Sequence, residues 1–78
     1  MDYNFRVLAH LIGRTVVFQI HDVYYNDEDG SPEGYNMESA KLKTRDVKDF
    51  RLMLEKMYEC LDKPILWSGD RFPEEFND

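Results

Sequence analysis

Cysteine is almost missing from this 78-residue chain, with Cys60 the only one. One thiol forms no internal disulfide, so the cystine framework of small secreted domains is excluded. Basic residues are short as well: 10 Lys+Arg stand against 16 Asp+Glu, a net charge of −6. That balance argues against direct nucleic-acid binding, because phosphate contacts need a surplus of cations. No apolar run approaches the ~20 residues of a membrane-spanning helix. The glycines at 13, 30, 34 and 69 are scattered and turn-like, so no glycine-rich phosphate loop is present. The chain opens Met-Asp-Tyr-Asn, without a basic stretch followed by an apolar one. No signal peptide is therefore expected, and a cytoplasmic location is.

What is present reads as one small folded domain. The chain is 42% apolar and 33% charged, a globular composition. We place the domain at 1–67 and an acidic, partly mobile tail at 68–78. Residues 3–25 read as a β-hairpin: Phe5, Val7, Ala9 and Leu11 alternate along one arm, and Val16, Phe18 and Ile20 along the other. Gly13-Arg14 between them fits a type II′ turn, with glycine at the first central position. That turn sets Leu11 opposite Val16, Ala9 opposite Phe18 and Val7 opposite Ile20, all on one face, which we take as the core face.

Residues 26–34 (NDEDGSPEG) form a loop, and a third strand is expected around Asn36–Lys43 with Ala40 and Leu42 inward. Val47, Phe50, Met53, Leu54, Met57 and Leu61 recur at spacings of three and four, the apolar stripe of a helix. Asp46 suits its N-cap, and Asp49 follows as in a capping box. Pro64 ends the helix. The expected fold is α+β, β-β-β-α in order: a two-layer arrangement of a three- to four-stranded antiparallel sheet on one amphipathic helix.

The segment IHDVYYNDEDG at 20–30, followed by a helix running into LDKPIL at 61–66, resembles a set of small bacterial proteins. Those read roughly I-H-E-V-Y-Y-D-E-D-G, a short strand, a capped helix, then L-D-K-P-V-L. The resemblance covers most of the chain. It implies the strand–strand–strand–helix order and carries no activity, since that family is functionally uncharacterised. In architecture alone the chain is also similar to HicB-type antitoxin domains, although their Pro-Gly-Cys segment is absent.

Candidate chemistry is sparse. Asp27-Glu28-Asp29-Gly30 resembles part of a calcium loop, but Tyr25 and Asn36 occupy places where an EF-hand needs ligands. His10 and His21 share a sheet face four residue pairs apart, about 13 Å at ~3.3 Å per residue, too far to share one zinc. Ser31, Ser39 and Ser68 have no histidine nearby in sequence, and in a strand His21 and Asp22 point to opposite faces. No metal, no cofactor and no enzymatic activity are expected.

Two surfaces are left for function. The hairpin face opposite the expected core carries Arg6, Leu8, Val17, Gln19, His21 and Val23, an apolar patch with a polar rim. Without a covering layer it predicts a protein-interaction module that binds a protein partner or a second copy of itself. Tyr24, Tyr25 and Tyr35 beside the loop favour that reading, since tyrosine is enriched at interfaces. Leu52, set among charged residues on the helix, is a second candidate anchor. The alternative surface is acidic: Asp27, Glu28, Asp29 and Glu33 in the loop, Glu74 and Glu75 in the tail. It predicts an inhibitor of a nucleic-acid-binding protein, with carboxylates standing in for phosphates, or an antitoxin-like partner.

Overall fold

A computed structural model describes residues 2–77. The chain forms β1 (Tyr3–Ile12), β2 (Thr15–Tyr25), β3 (Pro32–Tyr35), α1 (Val47–Glu59), a 3₁₀ turn (Cys60–Asp62), β4 (Leu66–Trp67) and a second 3₁₀ turn (Gly69–Arg71). The four strands make one curled sheet in the order β3-β2-β1-β4. No helix among the described residues is long and apolar enough to cross a membrane.

The hairpin follows its turn chemistry. Gly13 has φ of +63°, and Arg14 keeps a negative φ, as a type II′ turn requires. The ladder then pairs Leu11 with Val16, Ala9 with Phe18, Val7 with Ile20 and Arg6 with His21. Past Tyr24 a bulge shifts the register, and β3 pairs with the end of β2. The intervening loop is tied by Asn26, whose N–H donates to the Ser31 carbonyl and whose carbonyl accepts from Gly30 N–H.

The third strand lies earlier than expected, at Pro32–Tyr35 and not Asn36–Lys43. Asn26 and the φ of +71° at Gly30 close the loop early, so the chain re-enters the sheet before residue 36. The segment beyond crosses as irregular backbone, held at Ala40 N–H to the Ile20 carbonyl. The sheet is also mixed and not purely antiparallel. β4 runs parallel to β1, with Leu66 beside Leu8 and Trp67 beside Ala9. The connection through α1 permits that direction, because parallel neighbours need a crossover between them.

α1 begins where its cap dictates. Asp46 has extended backbone, and its carboxylate accepts from Lys48 N–H at 2.6 Å. No residue of α1 is buried. Only Met53 and Met57 of the stripe are half-buried, and Cys60 is buried just beyond. The expectation of a helix laid fully on the sheet is thus corrected. The stripe is wider than the contact it makes, and its outer edge stays in solvent.

The core lies on the face expected to be open. Leu8, Val23 and Leu66 are buried together, with Tyr25, Tyr35 and Phe72 packed against them. On the other face Val7 and Ala9 are buried, but Leu11 is exposed and Phe18 half-exposed. The tail belongs to this fold. Trp67 N–H donates to the Glu74 carbonyl and Phe76 N–H to that of Ile65, so residues 74–76 run back beside β4. Phe76 meets Phe18 and Trp67 edge-on at centroid distances of 5.3 and 5.1 Å.

Candidate functional site

The residues proposed from sequence as an interface are brought together, but as interior. Leu8 and Val23 are wholly buried, and Arg6 and His21 nearly so. Val17 is half-buried and Gln19 exposed. The open-face expectation is therefore corrected: Tyr35, from β3, and Phe72, from the tail, supply the cover. Tyr35 stacks on Phe72 at 4.9 Å, and its hydroxyl accepts from Gly69 N–H at 2.8 Å, which closes the tail over the sheet. Burying each aliphatic side chain there contributes about 1.5–3 kcal/mol. One sequence signal announced this. Val7, Leu8 and Ala9 are consecutive apolar residues, the mark of a strand covered on both faces.

Two polar networks run through that interior. Arg6 donates from Nη1 to the Tyr25 hydroxyl at 2.9 Å and from Nη2 to the Pro64 carbonyl at 2.6 Å. Tyr25 in turn donates to Asn4 Oδ1 at 2.6 Å. Arg6 Nε is buried without a partner. The guanidinium fork thus pins the segment after the helix to the start of the sheet. An ammonium could not span the same two acceptors.

The second network joins the histidines. His21 Nδ1 lies 2.8 Å from the Asn36 carbonyl, an acceptor only, so this nitrogen carries the proton and donates. In the neutral ring its Nε2 is then a lone pair, 2.9 Å from His10 Nε2, which donates to it. Gln19 Oε1 approaches the same nitrogen at 3.3 Å, acceptor beside acceptor. Burial, and behind it the neighbouring His21, pulls the pKa of His10 below 6.5. The distance expected from sequence is corrected here: the curled sheet and the length of both side chains bring the rings into contact. A group of three or more His, Cys, Asp or Glu side chains able to hold a metal does not occur among the described residues.

Cys60 is a thiol held in place. Its S–H donates to the Met57 carbonyl at 2.8 Å. Desolvation raises its pKa, with the charges of Lys63 and Arg6 acting weakly the other way. Such a thiol is a poor nucleophile.

The acidic candidates are dispersed. Asp27, Glu28 and Asp29 sit in the exposed turn and Glu33 at the exposed edge of β3. Asp29 accepts from Ser31 through both its N–H and hydroxyl, and these bonds lower its pKa. Glu74 is paired with Arg71 at 2.9 Å, and Arg71 also stacks on Trp67 at 4.2 Å. Glu75 bridges to Leu66 through the backbone.

Two features outside the sequence-derived set stand out. Between α1 and the first half of β1 lies a cleft of about 840 Å³, lined by Phe5, Asp22, Leu52, Met53, Lys56 and Cys60 among others. Leu52, the second candidate anchor, therefore borders this cleft. The other feature is the outer face of α1. Val47 is 84% exposed, Phe50 39%, Leu54 47%, Tyr58 74% and Leu61 62%. Val47, Phe50, Leu54 and Tyr58 form one ridge with Arg51, Glu55 and Glu59 alongside, and Leu61 lies beyond it in the 3₁₀ turn. Sequence reading placed most of these residues in the core, because periodicity shows a stripe and not which part of it is covered.

No protein family, curated protein or solved structure matches this chain.

Proposed function

We propose that this chain is a non-enzymatic protein-interaction module whose working surface is the outer face of α1. The carrying observation is the exposed ridge Val47–Phe50–Leu54–Tyr58 on a 13-residue helix. A contiguous apolar patch rimmed by charge is the usual sign of a protein contact, and an amphipathic helix is a common means of making one. Phe50 and Tyr58 at its centre are aromatic, a class enriched at interfaces, and Leu54 adds apolar area between them. The rest of the fold serves as a platform, with the sheet face of Leu8 and Val23 already covered by Tyr35 and Phe72.

The test is a selection of displayed peptides against the intact chain. Amphipathic helical peptides should be recovered, and Leu54→Glu should lose them while keeping the circular dichroism of the wild type. Recovery of peptides that bind wild type and Leu54→Glu equally would place the contact elsewhere.

A further inference from the structure

We infer that the occupant of the α1 ridge is a second copy of the same chain, with the two helices crossing antiparallel about a two-fold axis near Leu54. This inference rests on the reading of α1 as the working surface. It adds the partner and the direction of the pairing.

The pattern of the ridge is self-complementary in one direction. Val47 and Leu54 stand seven residues apart on α1, with Phe50 between them and Tyr58 one turn further on. This is the spacing of a helix–helix seam. Setting Leu54 against its own copy in antiparallel fashion places Phe50 opposite Tyr58, and Val47 opposite the 3₁₀ turn that follows the helix. A two-fold contact of this kind uses the same patch on both copies and closes at two.

Charge decides between directions. Arg51, Glu55 and Glu59 flank the ridge, all exposed. Arg51 and Glu55, though four apart on one helix, make no ion pair among the described residues. In the antiparallel arrangement Arg51 of one copy falls between Glu55 and Glu59 of the other, twice over by symmetry. In a parallel pair the same flank of the two copies lies on opposite sides of the seam, so Arg51 would meet neither Glu55 nor Glu59. Like charges across a helix pair oppose association, and opposite charges select register and partner. The antiparallel setting also aligns the two helix dipoles favourably.

A chain with net charge −6 needs such local pairing to approach its own copy. The ridge supplies it, because Arg51 beside the apolar residues meets two carboxylates of the other copy.

Sedimentation equilibrium on the full chain tests this, at low and moderate salt. The wild type should be a dimer. Leu54→Glu should be monomeric, and Arg51→Glu should dimerise about tenfold more weakly. An equimolar mix of Arg51→Glu with the double variant Glu55→Arg/Glu59→Arg should recover the wild-type affinity. Far-ultraviolet circular dichroism checks that each variant is folded, and Val47→Ser provides a milder disruption of the same ridge. A wild type that stays monomeric up to millimolar concentration overturns the second copy as occupant, while the peptide selection still judges the surface. A dimer indifferent to both Leu54→Glu and Val47→Ser overturns the surface itself. A dimer lost in Leu54→Glu but unchanged in Arg51→Glu overturns the antiparallel direction alone.

Discussion

His10 and His21 stand on neighbouring strands, four residues apart along the ladder, yet their Nε2 atoms are 2.9 Å apart. The Asn36 carbonyl fixes the tautomer of His21 and so the direction of the bond, with His10 as donor. Through these two rings the irregular segment after β3 is linked to β1. The pair is a structural clasp, and His10 brings a pH dependence with it.

For His10 the sign can be worked out. Its folded pKa lies below the ordinary 6.5, first because of burial and second because of His21. Between that folded value and 6.5 the unfolded chain binds more protons, so stability rises with pH across the window. The His10 contribution is complete above about pH 6.5 and is lost as pH falls toward the folded value. Thermal midpoints should drop between about pH 7.5 and pH 5.5, and His10→Gln should flatten the drop. Equal slopes in the two proteins would count against the clasp.

Arg6 joins the Tyr25 hydroxyl to the Pro64 carbonyl. Replacing it by lysine gives up the fork and with it one hydrogen bond, a cost of about 0.5–1.5 kcal/mol. Urea titration of Arg6→Lys should show a lower midpoint with an unchanged slope. A midpoint equal to wild type would mean that the fork is dispensable.

The buried face predicts a contrast between two polar substitutions. Val23 is fully buried, so Val23→Asp should leave the chain unfolded. Val47→Ser, on the exposed ridge, should change monomer stability by no more than about 0.5 kcal/mol. A folded Val23→Asp protein would return that face to the list of open surfaces.

Phe72 links the tail to Tyr35 and the core. It is half-buried, so Phe72→Ala should destabilise by about 2 kcal/mol, below the range for a fully buried phenylalanine. Loss of the Tyr35 near-ultraviolet signal should accompany it. No change in either measure would detach the tail from the domain.

Cys60 should be slow to alkylate. Its thiol is buried, donates to Met57 and has a raised pKa. With iodoacetamide near pH 8 the folded chain should react at least about tenfold more slowly than the urea-unfolded chain. Matching rates would show that this end of the helix opens freely.

Much of the local structure is legible in the sequence alone, though not the early position of β3 at Pro32–Tyr35. Gly13-Arg14 set the hairpin and its whole register, because turn type and alternation admit only one pairing. Asp46 and Pro64 bounded the helix, because a cap and a missing N–H act within a few residues. What the sequence could not decide was which surface is covered. Leu8 and Val23 became interior because Tyr35 and Phe72, distant in the chain, fold onto them. Val47 and Leu54 stayed in solvent because α1 touches the sheet along one edge of its stripe. Alternation and helical period report that a face is apolar. The identity of its cover depends on contacts between residues far apart in sequence, and these exist only once the chain has closed.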